Sequence, residues 1–307
     1  MNILNPNIYN TVIAIYAILA ISFIVTKILE YKTKTKKQEL NDRIISWLWM
    51  ISIFVLAMFL NNTLGVVFLA FVSYLAFKEY ISIIPTRLAD RRIIFYGYLS
   101  IIPQYYFAYT QWYAMFIITI PVYLFLFLSF RQMMIGQTEG FIDNTSKVNW
   151  GAMLFIFAIS HSAYLFMLKP IGDINGAMLL LYLFLLTELN DVLQFVCGKT
   201  FGKTPIVPKV SPKKTVEGLV GAVIITTTLA VLFSYLTPFS IIQAIGAGLI
   251  ISLSGFIGDV VVSMIKRDVG VKDASNFIAG HGGVIDRVDS LTYTAPLFFH
   301  YIYYIFY

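Results

Sequence analysis

Ser263 to Asp289 reads S-M-I-K-R-D-V-G-V-K-D-A-S-N-F-I-A-G-H-G-G-V-I-D-R-V-D. It groups four cations, Lys266, Arg267, Lys272 and Arg287, with four carboxylates, Asp268, Asp273, Asp286 and Asp289. Three glycines surround His281, and the stretch closes on Asp-x-x-Asp. The chain around it is apolar: of 307 residues, 59% are hydrophobic and 12% are charged. Soluble domains carry about 25% charged residues, so the chain reads as an all-α, polytopic integral membrane protein. Charges near hydrocarbon are costly and are kept where they function, which makes this stretch the first place to look for chemistry.

Working outward, bilayer-length apolar runs recur at 8–28, 44–60, 65–84, 93–108, 112–130, 150–168, 176–197, 219–236, 241–265 and 290–306, about ten transmembrane helices. The loops between them alternate in charge. One set holds Lys32 to Arg43, Arg87 to Arg92, Arg131 to Lys147, Lys199 to Lys214 and Lys266 to Arg287. The other set has Lys169 as its basic residue. The positive-inside rule places the first set in the cytoplasm and both termini outside. The basic cluster Lys32, Lys34, Lys36 and Lys37 follows the first apolar run, the reverse of a cleavable signal, so that run reads as an uncleaved helix. Attraction of this cluster to anionic headgroups is worth about 1 kcal/mol per cation, but its simpler role is to stop and orient the first helix. A single membrane domain over 1–307 is expected, with 1–175 as helical scaffold and 176–307 as the catalytic half. The one cysteine, Cys197, excludes an intramolecular disulfide, and the three separated histidines argue against a histidine-rich zinc site.

On a helix Gly255, Asp259, Ser263 and Lys266 share one face. Asp259 lies inside the end of its span, where a metal ion, or an ion pair with Lys266 or Arg267, would offset its burial. Asp286 and Asp289 suit Mg²⁺, which takes one or two carboxylates plus substrate phosphates; a charged helix cap is the alternative. Arg287 between them has the fork for a phosphate, and adjacent glycines let backbone N–H groups approach one. His281 is either a phosphate donor or a loop organiser. The loop Ser211-Pro212-Lys213-Lys214-Thr215-Val216-Glu217-Gly218 offers the cations and hydroxyls that a triphosphate needs, or is an ordinary positive-inside loop. No Walker A pattern occurs. Lys78-Glu79-Tyr80 reads first as a local interfacial charge pair.

The Ser263–Asp289 stretch resembles the signature of the phosphatidate cytidylyltransferases, the CDP-diacylglycerol synthases. Ser263, Lys266-Arg267, Lys272-Asp273, His281-Gly282-Gly283, Asp286-Arg287 and Asp289 carry the likeness, and Ala279 departs from the usual Pro or Gly. The S-P-K-K-T-x-E-G segment resembles a second element of that family, and Lys78-Glu79-Tyr80 looks like a third. Asp191, with Glu188 on the same helix face, matches an aspartate common in the family, but Val192-Leu193-Gln194 departs from its usual surroundings. The resemblance covers about residues 185–290. It implies an enzyme converting CTP and phosphatidic acid to CDP-diacylglycerol and pyrophosphate in phospholipid biosynthesis. It also implies Asp259, Asp286 and Asp289 as ligands of Mg²⁺, with a second cation as an open alternative. Lys213, Lys214, Lys266, Arg267 and Arg287 would neutralise phosphates. Asp191, Ser211, Thr215, Glu217, Ser263, Lys272, Asp273, His281, Gly282 and Gly283 would line the substrate site. The expected setting is a bacterial plasma membrane with the active site facing the cytoplasm, the lipid bilayer and a homodimer as partners, and no nucleic acid. The alternatives are a CTP-dependent transferase acting on another lipid phosphate or a polyprenol, and a transporter. The transporter fits poorly, because the acids sit at the membrane edge and no repeat is visible.

Overall fold

The computed structural model describes residues 6–33, 38–87, 90–272, 274–275 and 283–307. Three long helices come first, α1 (Pro6–Thr33), α2 (Gln38–Leu60) and α3 (Asn62–Ile83). The apolar run at 93–108 is covered by α4 (Arg91–Leu99) and α5 (Ile101–Tyr109), with Ser100 in helical backbone between them and hydrogen-bonded in the helical pattern to Tyr96 and Gln104. Next, α6 (Tyr113–Ile118) continues through a widened turn at Thr119–Leu124 into α7 (Phe125–Met133). Pro121 lies in that turn, where its missing N–H and its ring disfavour regular helix. A second widened segment, Ala152–Ala158, joins α8 (Phe141–Gly151) to α9 (Ile159–Met167). The remainder is α10 (Gly176–Phe201), a hairpin of β1 (Pro205–Val207) and β2 (Ser211–Thr215), α11 (Val216–Leu232), α12 (Ile241–Asp268), α13 (Ile285–Val288) and α14 (Leu291–Phe306).

Among the described residues six helical stretches are long and apolar enough to cross a membrane. They are Pro6–Lys32, Asn62–Ile83, Tyr113–Met133, Phe141–Met167, Gly176–Phe201 and Ile241–Asp268, and Trp47–Ala57 and Val216–Leu232 are shorter apolar helices.

Helix starts follow local chemistry. The Asn61, Asn175 and Thr215 side chains accept from the backbone N–H of Thr63, Met178 and Gly218. Ser240 and Gln243 form a reciprocal capping box at the start of α12. The C-terminal helices pack in sequence, α10 on α11, α11 on α12 and α12 on α14, while α9 touches α3, α5, α10 and α14 and so joins the two halves.

The C-terminal bundle is pinned by a buried polar residue as well as by apolar packing. Asn190 of α10 accepts from Ser252 Oγ at 2.7 Å and from Thr226 Oγ1 at 3.2 Å, and its amide donates to the Ser252 carbonyl at 3.3 Å. Hydrogen bonds between membrane helices average about 0.6 kcal/mol each. Three of them on one side chain fix the rotation of α10, α11 and α12 by a modest but specific margin. That rotation points the next residue, Asp191, toward α14.

Candidate active site

Three elements bring the signature charges together. Along α12, Gly255 and Lys266 are buried and Asp259 and Ser263 are half-buried. Ser263 Oγ donates to Asp259 Oδ1 at 3.3 Å. The other carboxylate oxygen, Asp259 Oδ2, lies 2.5 Å from Lys214 Nζ. The cation that neutralises Asp259 therefore comes from the hairpin, not from Lys266 or Arg267 on its own helix. Lys214 also donates to Gln194 Oε1 at 3.4 Å and stands 5.0 Å from the centre of the Phe256 ring, a cation–π distance.

Lys266 is paired elsewhere. Its ammonium lies 2.5 Å from Asp286 Oδ1, while Asp286 Oδ2 accepts from the Gly283 N–H at 3.0 Å. Asp289 Oδ1 accepts from the Ser290 N–H at 2.8 Å. The Ser290 hydroxyl donates to Asp191 Oδ2 at 2.8 Å and lies 3.2 Å from the Gly255 carbonyl. Gly258 permits this approach: a Cβ there would stand 2.6 Å from the Asp289 carbonyl oxygen.

The electrostatics leave a deficit of positive charge around Asp289. Burial pushes its carboxyl well above the usual carboxylate range, and the neighbouring Asp259 and Asp191 charges add to the rise, with Lys266 opposing. Three buried polar atoms in the same region have no partner among the described residues: Asp191 Oδ1, Gln194 Nε2 and Arg287 Nε. Buried polar groups are normally satisfied, so an orphaned acceptor and two orphaned donors mark places where a cation and an anion have something to bind.

Among the described residues no three His, Cys, Asp or Glu side chains are grouped to hold a metal ion. Asp259, Asp286 and Asp289 do not form a closed cage, because Asp259 and Asp286 are each engaged by a lysine. The donor set fits Mg²⁺ in its usual manner, through one or two carboxylates with the remaining positions left to water and substrate phosphates. The unpartnered Asp191 oxygen is the observation behind that fit.

The other expected site residues divide into three groups. Arg267 donates to the Val210 carbonyl at 3.3 Å and the Val271 carbonyl at 2.9 Å, tying the hairpin to the end of α12. Thr215 caps α11, and Glu217 accepts from the Lys203 N–H at 2.9 Å, the Thr204 N–H at 3.1 Å and the Thr204 hydroxyl at 3.0 Å. Both side chains brace the loop. Ser211 sits in β2 opposite Val207, and Lys213 and Lys272 are exposed to solvent. Asp273, His281 and Gly282 lie outside the described residues.

Sequence reasoning missed Ser290, which bridges Asp191 and Asp289; its position next to Asp289 was the available signal. It also passed over Gln194, whose only mark was its departure from the family's surroundings. Glu79 is not the local charge pair expected of it, because its carboxylate accepts from Ser275 and Ile285.

Lysines and carboxylates are thus interleaved in this region. The model of the Cytidylyltransferase family matches residues 41–305, and the chain belongs to that family; it is a CTP-dependent nucleotidyltransferase. It is 39% identical to an uncharacterized protein, YnbB, of Escherichia coli (strain K12), over 94% of this chain and 96% of the relative. It is 30% identical to a phosphatidate cytidylyltransferase of Aquifex aeolicus over 80% of this chain and 84% of that protein. A phosphatidate cytidylyltransferase of Haemophilus influenzae is 41% identical over 42% of this chain and 47% of its own length.

The Lys214–Asp259 contact yields a test independent of turnover. Removing one member strands a charge in a poorly solvated place, whereas removing both does not. Lys214→Met and Asp259→Asn should each lower thermal stability in detergent, and the double variant should recover part of the loss. The expected coupling is on the order of 1 kcal/mol, and simple additivity within about 0.5 kcal/mol would show that the two groups are not paired.

Proposed function

We propose that the chain transfers the cytidylyl group of CTP to phosphatidic acid, giving CDP-diacylglycerol and pyrophosphate for phospholipid biosynthesis. The observation that carries this reading is the pair of lysine–carboxylate contacts, Lys214–Asp259 and Lys266–Asp286, at one end of a membrane bundle. The matching relatives that bear the name phosphatidate cytidylyltransferase support it.

In the reaction a phosphate oxygen of the lipid attacks the α-phosphorus of CTP. The bond from that phosphorus to the α,β-bridging oxygen breaks, and its electron pair leaves with pyrophosphate. The lipid phosphate is already anionic at neutral pH, so no strong base is required. The obstacle is bringing an anion to a polyanion, and positioning and charge neutralisation remove it. Lys214 and Lys266 are placed to exchange their carboxylate partners for phosphate oxygens. Arg287, with an unpartnered Nε, supplies a further donor. Asp259, Asp286, Asp289 and Asp191 are the carboxylates that would hold Mg²⁺, which when bound neutralises charge on the triphosphate. The Val192-Leu193-Gln194 departure beside Asp191 is the ground for a second reading, in which the acceptor is a different lipid phosphate.

We place the site on the cytoplasmic face of a bacterial plasma membrane, within an arrangement of about ten spans. The contact of Arg267 with Val210 supports a shared side for the 197–218 and 266–289 loops, and the clustering of basic loops selects the cytoplasm. In a Cys197→Ser background, Lys209→Cys and Asp268→Cys should both react with a membrane-impermeant thiol reagent in inverted vesicles and neither in intact cells. Reaction of the two on opposite sides would separate the loops and dismantle the site.

The reaction is tested by the fate of label. With purified protein, Mg²⁺ and phosphatidic acid, label in the α-phosphate of CTP should enter lipid and label in the γ-phosphate should leave in pyrophosphate. Entry of γ label into lipid would identify a CTP-dependent lipid kinase instead. A lipid product with another lipid phosphate but none with phosphatidic acid would select the second reading.

A further inference from the structure

Glu79 lies near the end of α3, in the half of the chain expected to be scaffold, yet both its carboxylate oxygens are directed at the signature region. Oε1 accepts from Ser275 Oγ at 2.7 Å, and Oε2 accepts from the Ile285 N–H at 2.9 Å. Ile285 is buried and opens the turn of α13 that carries Asp286 and Arg287. The close approach also accounts for Gly283. A Cβ at that position would stand 2.6 Å from Glu79 Oε2 and 3.1 Å from Ser275 Oγ. On the other side of the turn, Asp286 accepts from the Gly283 N–H. The four residues from Gly283 to Asp286 are therefore held by two carboxylates from opposite ends, one of them Glu79. The adjacent Tyr80 fixes the frame, since its hydroxyl donates to the Lys147 carbonyl at 2.8 Å.

We propose that Glu79 is a positioning residue for this active site: it holds Ser275 and the Ile285 amide, and so sets where Asp286, Arg287 and Asp289 stand. The consequence for turnover rests on the cytidylyl-transfer reading; the mechanical role does not. Glu79 acts as a two-pronged acceptor, not as a proton carrier or a metal ligand. That distinction is experimental. In Glu79→Gln the amide oxygen still accepts from Ile285, and the amide nitrogen donates to Ser275, whose hydroxyl turns to accept. In Glu79→Ala both contacts are lost, and a shift on the order of 1 Å at the reacting groups costs about 100-fold in rate.

The experiment compares full-length wild type, Glu79→Gln, Glu79→Ala and Ser275→Ala in detergent. It reads hydrogen exchange in peptides covering Ile285, together with kcat and KM for CTP. Exchange should rise about tenfold or more in Glu79→Ala, stay near wild type in Glu79→Gln and be intermediate in Ser275→Ala. The kcat should fall at least about tenfold in Glu79→Ala, with a smaller change in KM, and be restored in Glu79→Gln. Unchanged exchange in both Glu79→Ala and Ser275→Ala would overturn the positioning role. Loss of turnover in Glu79→Gln with protection of Ile285 intact would overturn it too, by showing that the charge itself is needed. If wild type makes no lipid product from CTP, the reaction assignment falls, and the exchange measurement alone still decides the role of Glu79.

Discussion

The interaction on which the site depends is the neutralisation of partly buried carboxylates by lysines from other elements. Asp259 on α12 meets Lys214 of the hairpin, and Asp286 at α13 meets Lys266 on α12. Desolvated charges are tolerable only when paired. These contacts therefore force the hairpin, the end of α12 and the α13 turn into one place. Asp191, Ser290 and Asp289 complete the arrangement with hydrogen bonds, and the Asn190 network behind them fixes the helix rotation. Remove the lysines, and several carboxylates would face one another across a poorly solvated gap.

On the proposed reading, the same balance would let one site take both a triphosphate and a divalent cation. Each lysine–carboxylate pair is an ammonium for a phosphate and a carboxylate for a metal, held in contact. Arrival of the two ligands together would replace each internal pair with two new pairs, at little net electrostatic cost. Either ligand alone would leave half of the charges stranded. The orphaned Asp191 oxygen and the orphaned Arg287 and Gln194 nitrogens are the remaining acceptor and donor capacity for that exchange.

Much of this was legible in the amino-acid sequence, for identifiable reasons. Helical spacing placed Gly255, Asp259, Ser263 and Lys266 on one face, and the signature gave Asp286 and Asp289. What was not legible was which cation served which anion. Lys214 and Asp259 are brought together by the packing of α10, α11 and α12, and no local spacing reports that. Glu79 was hidden for the same reason, since its partners lie at the other end of the chain. Composition alone cannot see that α4 and α5 meet at Ser100, or that Gln104 is buried to bond Ser160 and the Phe116 carbonyl. Hydropathy counted the 93–108 segment as one span, and α4 and α5 follow one another through it with Ser100 in helical backbone between them. Nor could sequence show that Thr215 and Glu217, expected to line the substrate site, accept from backbone N–H groups of the loop and helix start.

The central claim, that two internal ion pairs are exchanged for metal and phosphate together, is most directly tested by thermal stability of the purified protein in detergent. CTP with excess chelator, Mg²⁺ alone, and CTP with Mg²⁺ should be compared at matched ionic strength. The account predicts a stabilisation with both ligands that exceeds the sum of the separate effects. It predicts that this excess falls in Lys214→Met, which removes one of the two pairs. A full shift with CTP in chelator, or strictly additive shifts, would contradict it.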